Sequence, residues 1–252
     1  MVYMGSKANI ASSIAPFIHG YMLSNGLETY VEPFVGGANM MSSVTAPVRK
    51  GYDKNRYVIA LFKHLQNNGE LPDDVSRALF NDCRVHYTAD DGYYEDWYLG
   101  AVGFLAGFNG RFYDGCYAEG KEYDGKFRDY YTERKENLLE QIKTLQDVEF
   151  AVADYMSLTP DNQLIYCDPP YANTKQYAVD KNFDTSEFWD TVRKWSKNNI
   201  VLVSEENGPD DFDIIWEQEV TRTVNAAHKS QKTEKLFIHK SLNQDKMEDY
   251  NF

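Results

Sequence analysis

Leu164-Ile165-Tyr166-Cys167-Asp168-Pro169-Pro170-Tyr171 is the stretch that decides the fold. Its first four residues form a short apolar and aromatic run, the mark of a buried strand. Pro169 and Pro170 cannot donate to a ladder, so the strand must stop there, with a carboxylate and an aromatic ring held at its carboxyl end. In an open α/β sheet that end is where ligands bind. The two prolines fix φ near about −65° and restrict Asp168 as well, so the turn is stiff and a proline carbonyl can be aimed with little entropy left to lose.

This arrangement suits one kind of chemistry. The exocyclic amine of a nucleobase is a poor nucleophile because its lone pair is delocalised into the ring. A carboxylate and a backbone carbonyl that both accept its N–H groups push the nitrogen toward tetrahedral geometry and stabilise the charge that develops on it. A ring such as Tyr171 can stack on a base taken out of its helix. A solvated Asp-Pro turn after a core strand stays open as the plainer reading.

The 252 residues suggest one large domain, or one domain with a smaller one inserted. No stretch of about 18 apolar residues occurs and the first ten residues, MVYMGSKANI, lack an apolar signal region, so a soluble, non-exported chain is expected. Cys83, Cys116 and Cys167 are odd in number and far apart, which favours reduced thiols over a disulfide or metal set, and hence a cytosolic setting. The net charge of −13 counts against a polyanionic partner, but a local groove of Lys and Arg can act while the remaining surface is acidic.

Ile10, Ile14, Phe17 and Ile18 recur at helical spacing, predicting a helix from Lys7 to about His19 with Ser6 as N-cap. A lysine at a helix start opposes the dipole, so Lys7 reads either as a surface residue or as one kept for function. Thr29-Tyr30-Val31 leads into Glu32-Pro33-Phe34-Val35-Gly36-Gly37-Ala38-Asn39, then Met40, Met41 and Val44: a strand, a glycine turn and a helix, the opening of a nucleotide-binding sheet. GxGxxG and GxxxxGK[ST] are both missing. The acid Glu32 before the turn suits a cationic ligand better than a phosphate. Val48 to Tyr52 is a second strand ending at Asp53, placed either to accept from a ribose or to cap a helix from Tyr57 to Leu65.

Helical patterns at Val75 to Phe80, Trp97 to Phe108 and Leu138 to Leu145 then bracket a stretch rich in Gly and Tyr, from Asn109 to Tyr131. There Arg111, Lys121, Lys126 and Arg128 are interleaved with rings, a mixture that grips phosphate and stacks bases. Asp114, Glu119, Glu122, Asp124 and Asp129 nearly cancel that charge, so an ordinary solvated loop stays open. Val148 to Val152 resumes the sheet, followed by Ala153-Asp154-Tyr155, where Asp154 either accepts from an adenine amine beside Tyr155 or caps a helix. After the central strand come a polar loop to Phe183, a helix capped near Asp184 or Thr185, and a buried strand from Asn199 to Ser204. Val220 to Val224 and Lys235 to Ile238 read as a closing antiparallel pair joined by a polar, mobile His228 to Thr233. The tail from Asn243 reads as frayed.

Taken in order, these motifs resemble the adenine-specific DNA methyltransferases of the Dam type, including the compact enzymes carried by bacteriophages. Tyr3-Met4-Gly5-Ser6-Lys7 is similar to the family's N-terminal cofactor motif, Glu32 to Gly37 to its glycine motif, and Gly51-Tyr52-Asp53-Lys54-Asn55 to its ribose-binding acid. Ala153-Asp154-Tyr155 is similar to the adenine-ring motif, Asp168 to Tyr171 to the catalytic motif, and Glu234 to Ile238 to the last strand. The resemblance implies a Rossmann-like α/β sheet of the S-adenosylmethionine-dependent methyltransferases with a small, mostly helical target-recognition insert. Residues 1–66 and 147–242 would form the catalytic domain, 67–146 the insert and 243–252 a polar tail.

It further implies S-adenosylmethionine as methyl donor, with Tyr3, Lys7, Glu32, Pro33, Phe34, Gly36, Asp53, Asp154, Tyr155 and Asp168 at the cofactor. Asp168, Pro169, Pro170 and Tyr171 would be catalytic, and Asn109, Arg111, Lys121, Lys126 and Arg128 would meet double-stranded DNA. No metal, no membrane and a monomer or weak dimer are expected, in the cytoplasm of a bacterial or phage-infected cell, within a restriction-modification system or alone. Asn109-Gly110-Arg111 is similar to the family's hairpin entry, but Lys121 to Tyr131 lacks the Phe-Asn-x-Pro-Phe-Gly strand, so a GATC target does not carry over. Other substrates for the same chemistry are cytosine N4, RNA or a protein amide. A catalytically silent DNA-binding protein on the same fold is the alternative from another class.

Overall fold

The computed structural model describes residues 1–170, 183–225 and 228–243. In chain order the first half contains α1 (Ala11–Asn25), β1 (Thr29–Glu32), β2 (Val48–Asp53), α2 (Arg56–Gln66), α3 (Arg77–Ala89) and α4 (Asp96–Ala106). A small hairpin of β3 (Lys121–Tyr123) and β4 (Lys126–Arg128) leads into α5 (Tyr130–Ile142) and β5 (Val148–Val152). The rest comprises β6 (Leu164–Cys167), α6 (Thr185–Trp195), β7 (Ile200–Glu205), β8 (Phe212–Asn225), β9 (His228–His239) and the short α7 (Lys240–Asn243).

The main sheet runs β5-β2-β1-β6-β7-β9-β8. The first five strands are parallel, while β9 is antiparallel to both β7 and β8. Strand order therefore reverses between β1 and β6, which opens a crevice beyond their carboxyl ends. That is the Rossmann-like α/β sheet anticipated from the sequence.

Both faces of the central strands are covered, and the side chains alternate between them. Tyr30, Leu164, Tyr166, Leu202, Leu236 and Ile238 fall in a cluster packed with α1, α2, α4 and α5. Val31, Ile165, Cys167, Val201, Val203 and Phe237 fall in a second cluster packed with α6. The larger cluster also takes in Phe80, Phe104, Leu105 and Leu138, so the segment from 67 to 146 shares the core of the sheet. Within that segment the β3–β4 hairpin is exposed.

Three expectations are corrected. The first helix is assigned from Ala11, not Lys7: the Lys7 carbonyl accepts from the Ile10 and Ala11 N–H groups, both at 2.9 Å, which puts Lys7 just ahead of it. Ser6 does not cap it; its hydroxyl accepts from Asn39 Nδ2 at 2.8 Å. No α-helix follows the glycine turn, where Met41–Ser43 makes only a short 3-10 turn. Arg49 Nη1 donates to the Met41 and Val44 carbonyls at 2.9 and 3.2 Å, which takes up the acceptors that a helix would have used. Finally, residues 228–233 are not a loose connection but part of β9, paired with β8 from Asn225↔His228 to Glu219↔Thr233. A two-stranded ribbon of this kind can be polar on both faces, so the apolar alternation that marks a core strand is missing there.

Candidate active site

On one face of the sheet the buried rows change character at the end where the crevice opens. Tyr30 is followed two residues on by Glu32, Tyr166 by Asp168, and Leu236 is preceded by Glu234 and Lys232. A period of two keeps each of these on the face of the larger core cluster. Lys7, from the lead into α1, reaches the same place: its Nζ donates to Asp168 Oδ1 at 2.7 Å while the residue is only 4% exposed.

Asp168 is half-buried, Pro169 is buried and Pro170 half-buried. Burial raises the Asp168 carboxyl above the usual carboxylate range, and the Lys7 ammonium opposes that shift. Among the described residues, hydrogen bonding falls on Oδ1, and Oδ2 has no partner. Tyr171 lies outside the described residues.

Across the crevice, Glu32 is 3% exposed and accepts from the Tyr30 hydroxyl at 2.8 Å. Burial pushes its carboxyl up to about 8, with the Asp168 charge adding to the shift and the Tyr30 hydrogen bond opposing it, so Glu32 is a neutral acid near pH 7. Pro33 is buried beside it. The glycine turn folds back on β2, where the Val35 N–H donates to the Tyr52 carbonyl at 2.8 Å. Asp53 holds that turn: its Oδ2 accepts from the Gly36 N–H at 2.9 Å and its Oδ1 from the Asn55 N–H at 2.8 Å. Burial pushes Asp53 up to about 6 against the pull of those two bonds. The helix cap that Asp53 was one candidate for is supplied by Asn55, whose side chain accepts from the Tyr57 N–H. Gly36 has φ +46°, and a Cβ there would stand 3.0 Å from the Tyr3 ring, so Tyr3 is packed directly on the turn.

Farther along the sheet edge, Asp154 caps a short 3-10 turn through the Met156 N–H at 3.1 Å and pairs with Lys54 Nζ at 3.1 Å. Tyr155 is buried in an aromatic group with Phe34, Phe183, Phe188 and Trp195. Phe34, half-buried, is the member of that group which belongs to the glycine turn. Tyr3, Lys7, Glu32, Gly36, Asp53 and Asp168 thus gather at the crevice, while Asp154 and Tyr155 have partners of their own.

The residues anticipated at DNA are on the surface of the segment from 108 to 128. Asn109 is exposed with φ 52°, and Arg111, Lys121 and Lys126 are exposed. Arg128 is exposed too, but Glu133 holds its guanidinium with two bonds of 2.7 Å. Phe108 at 47% and Phe127 at 73% exposure place bare rings beside these groups.

Two buried ions were not expected at the site: Glu234, named only as the start of the last-strand motif, and Lys232. Glu234 is 5% and Lys232 8% exposed, with Lys232 Nζ 2.9 Å from Glu234 Oε1 and Glu234 Oε2 3.9 Å from Lys7 Nζ. Counting back by two from Ile238 and Leu236 would have put both on the buried face. The polar character of the ribbon hid that signal.

Strand order, glycine turn and facing carboxylates together define the class, a Rossmann-like α/β protein with its ligand crevice at the switch point. Residues 3–98, which carry the first three motifs, match the family model described as D12 class N6 adenine-specific DNA methyltransferase. Over that part the chain is similar to the family, and the match supports an adenine-specific DNA methyltransferase with S-adenosylmethionine as methyl donor. No curated protein matches the chain significantly. Among solved structures it is similar to a provisionally assigned RNA methyltransferase, PH1948, from Pyrococcus horikoshii, with 7% identity, coverage of 90% of this chain and 81% of that one, and a TM-score of 0.41. A protein from Thermoplasma acidophilum gives 10% identity, 93% and 97% coverage, and a TM-score of 0.41. SMU.472, a provisionally assigned methyltransferase complexed with SAH, gives 12%, 92% and 52%, and 0.34. The strand order, not this loose overlap, defines the fold.

The donor set fits the methyl donor. Asp53 uses one lone pair of each oxygen on backbone and keeps others for a ribose diol, and the acidic rim of Asp53 and Asp168 suits a cationic sulfonium. Among the described residues no cluster of His, Cys, Asp and Glu could hold a metal ion, and no helix is long and apolar enough to cross a membrane.

Proposed function

We propose that the chain methylates N6 of an adenine flipped out of duplex DNA, with Asp168 as the acceptor that activates the amine. The observation that supports this most directly is the half-buried Asp168 held through Oδ1 by Lys7 at the switch point, with Oδ2 turned to no described partner. S-adenosylmethionine supplies an electrophilic methyl group on a positively charged sulfur. Asp168 Oδ2 and the carbonyl of Pro169 accept the two N–H hydrogens of the base, which frees the nitrogen lone pair and stabilises the positive charge developing there; as the methyl leaves sulfur for nitrogen, one of those protons passes through Asp168 to solvent. Lys7 keeps the carboxylate ionised and fixed in orientation, so that little reorganisation is left for the moment of reaction. Tyr171 stacks on the flipped base, and Asp53 and the glycine turn hold the donor's ribose.

In this reading the segment from 67 to 146 is the target-recognition insert on a catalytic body formed by 1–66 and 147–242. Arg111, Lys121 and Lys126 contact phosphate, while Asn109, Phe108 and Phe127 meet bases. Arg128 acts less directly, because Glu133 already neutralises it. The acidic balance of −13 confines DNA to this surface and makes binding strongly salt-dependent.

Asp168→Ala is expected to lower methyl transfer by about 100-fold or more while calorimetry shows only modest weakening of donor binding. A variant with near-normal turnover would remove Asp168 from the reaction.

A further inference from the structure

Lys232 and Glu234 have no part in the reaction described above, yet they are buried beside its central carboxylate. Burying ions is costly, and their row on β9 continues the apolar Leu236 and Ile238, so a purely structural role would be served as well by aliphatic side chains. The side chains form a chain of alternating sign. Glu206 Oε1 lies 2.7 Å from Lys232 Nζ, and Lys232 lies 2.9 Å from Glu234 Oε1. Glu234 Oε2 is 3.9 Å from Lys7 Nζ, which is 2.7 Å from Asp168 Oδ1. Lys7 thus stands between two carboxylates, bonded closely to one and drawn by the other.

We propose that Glu234 and Lys232 are positioning residues for methyl transfer: Lys232 fixes Glu234, and Glu234 holds the Lys7 ammonium on the Oδ1 side of Asp168, leaving Oδ2 for the substrate amine. This rests on the role given to Asp168 above. Among the described residues, the charged and titratable groups around Asp168 are Lys7 from the N-terminal lead, Glu32 from β1, Tyr166 and Cys167 from β6, Glu205 from β7, and Lys232 and Glu234 from β9. Within that set Glu234 disfavours ionisation of Asp168, and Lys7 and Lys232 favour it. The two positioning residues therefore act on the carboxylate with opposite sign.

The test is the pH profile of the single-turnover methylation rate for wild type, Glu234→Gln, Lys232→Met and Lys232→Arg, with donor binding and thermal unfolding measured alongside. Glu234→Gln is expected to move the acid limb to lower pH and Lys232→Met to higher pH. Each should lower the plateau by about 10- to 100-fold with donor affinity essentially unchanged, and Lys232→Arg should restore the wild-type limb. Both limbs staying put, or moving the same way, overturns the proposal. A wild-type protein inert on every DNA overturns the role of Asp168 itself, whereas an active wild type with indifferent variants overturns only the positioning role. Where a variant unfolds, NMR of the lysine ammonium groups in the intact protein decides. Slowly exchanging, resolved signals from Lys7 and Lys232 at neutral pH support the chain of ion pairs, and rapidly averaged ones refute it.

Discussion

Glu32→Gln is an isosteric change that removes a titration and little else. The Tyr30 hydroxyl can donate to the amide oxygen as it does to Glu32 Oε1, and the packing around the side chain is kept. In the folded protein burial pushes Glu32 up to about 8 from an ordinary value of 4.5. The folded state therefore holds a proton that the unfolded chain releases, and stability falls as pH rises between those two values. With 1.36 kcal/mol for each unit, the full loss is about 5 kcal/mol, of which about 3 kcal/mol has gone by pH 7 and less than about 1 kcal/mol by pH 5. The substituted amide has no such proton to lose. Urea unfolding of both proteins at intervals from pH 5 to 8 should therefore show the variant gaining on the wild type by about 2 kcal/mol between pH 5 and 7. Parallel curves, with the difference constant over that range, would mean that Glu32 is ionised in the folded protein and that the crevice carries one more negative charge.

Gly36→Ala forces an L side chain to φ +46° and against the Tyr3 ring, so a loss of about 1–2 kcal/mol in urea unfolding and weaker donor binding are expected; an unchanged midpoint would contradict the packing. Asp53→Asn leaves one of the Gly36 and Asn55 N–H groups facing an amide donor, for a loss of about 1–3 kcal/mol and a drop in donor affinity read by calorimetry. Arg49→Met strands the Met41, Val44 and Thr144 carbonyls and the Asp147 carboxylate. Denaturant unfolding should show a loss of about 3–5 kcal/mol, and a loss under about 1 kcal/mol would contradict its role as the tie beneath the glycine turn.

Much of the sheet could be read from local pattern. Val148 to Val152 became a strand with those bounds, and the helix capped at Asp184 begins with Asp184 accepting from the Ser186 and Glu187 N–H groups. The central strand ended at its prolines as expected, because a missing N–H is a local fact. What could not be read was set by distant partners. Lys7 looks like a surface lysine until Asp168, far along the chain, meets it in the core. Met40, Met41 and Val44 look like the start of a helix until Arg49 takes the Met41 and Val44 carbonyls. The placing of Glu32, Asp53 and Asp168 at the crevice could be read because each stands at the end of a buried strand. That of Lys232 and Glu234 could not, because a polar ribbon carries no apolar rhythm to say which face is inside. At Asp154 and Tyr155 the sequence showed the motif but not the local partners, a 3-10 cap, Lys54 and neighbouring rings.

The central claim is that Asp168 prepares an adenine amine to take a methyl group. Incubating the protein with mixed-sequence duplex DNA and isotopically labelled S-adenosylmethionine, then digesting to nucleosides for mass spectrometry, tests it most directly. Labelled N6-methyladenine that disappears with Asp168→Ala is the expected result. Label found only in methylcytosine, or in no nucleoside while the donor still binds, would contradict it.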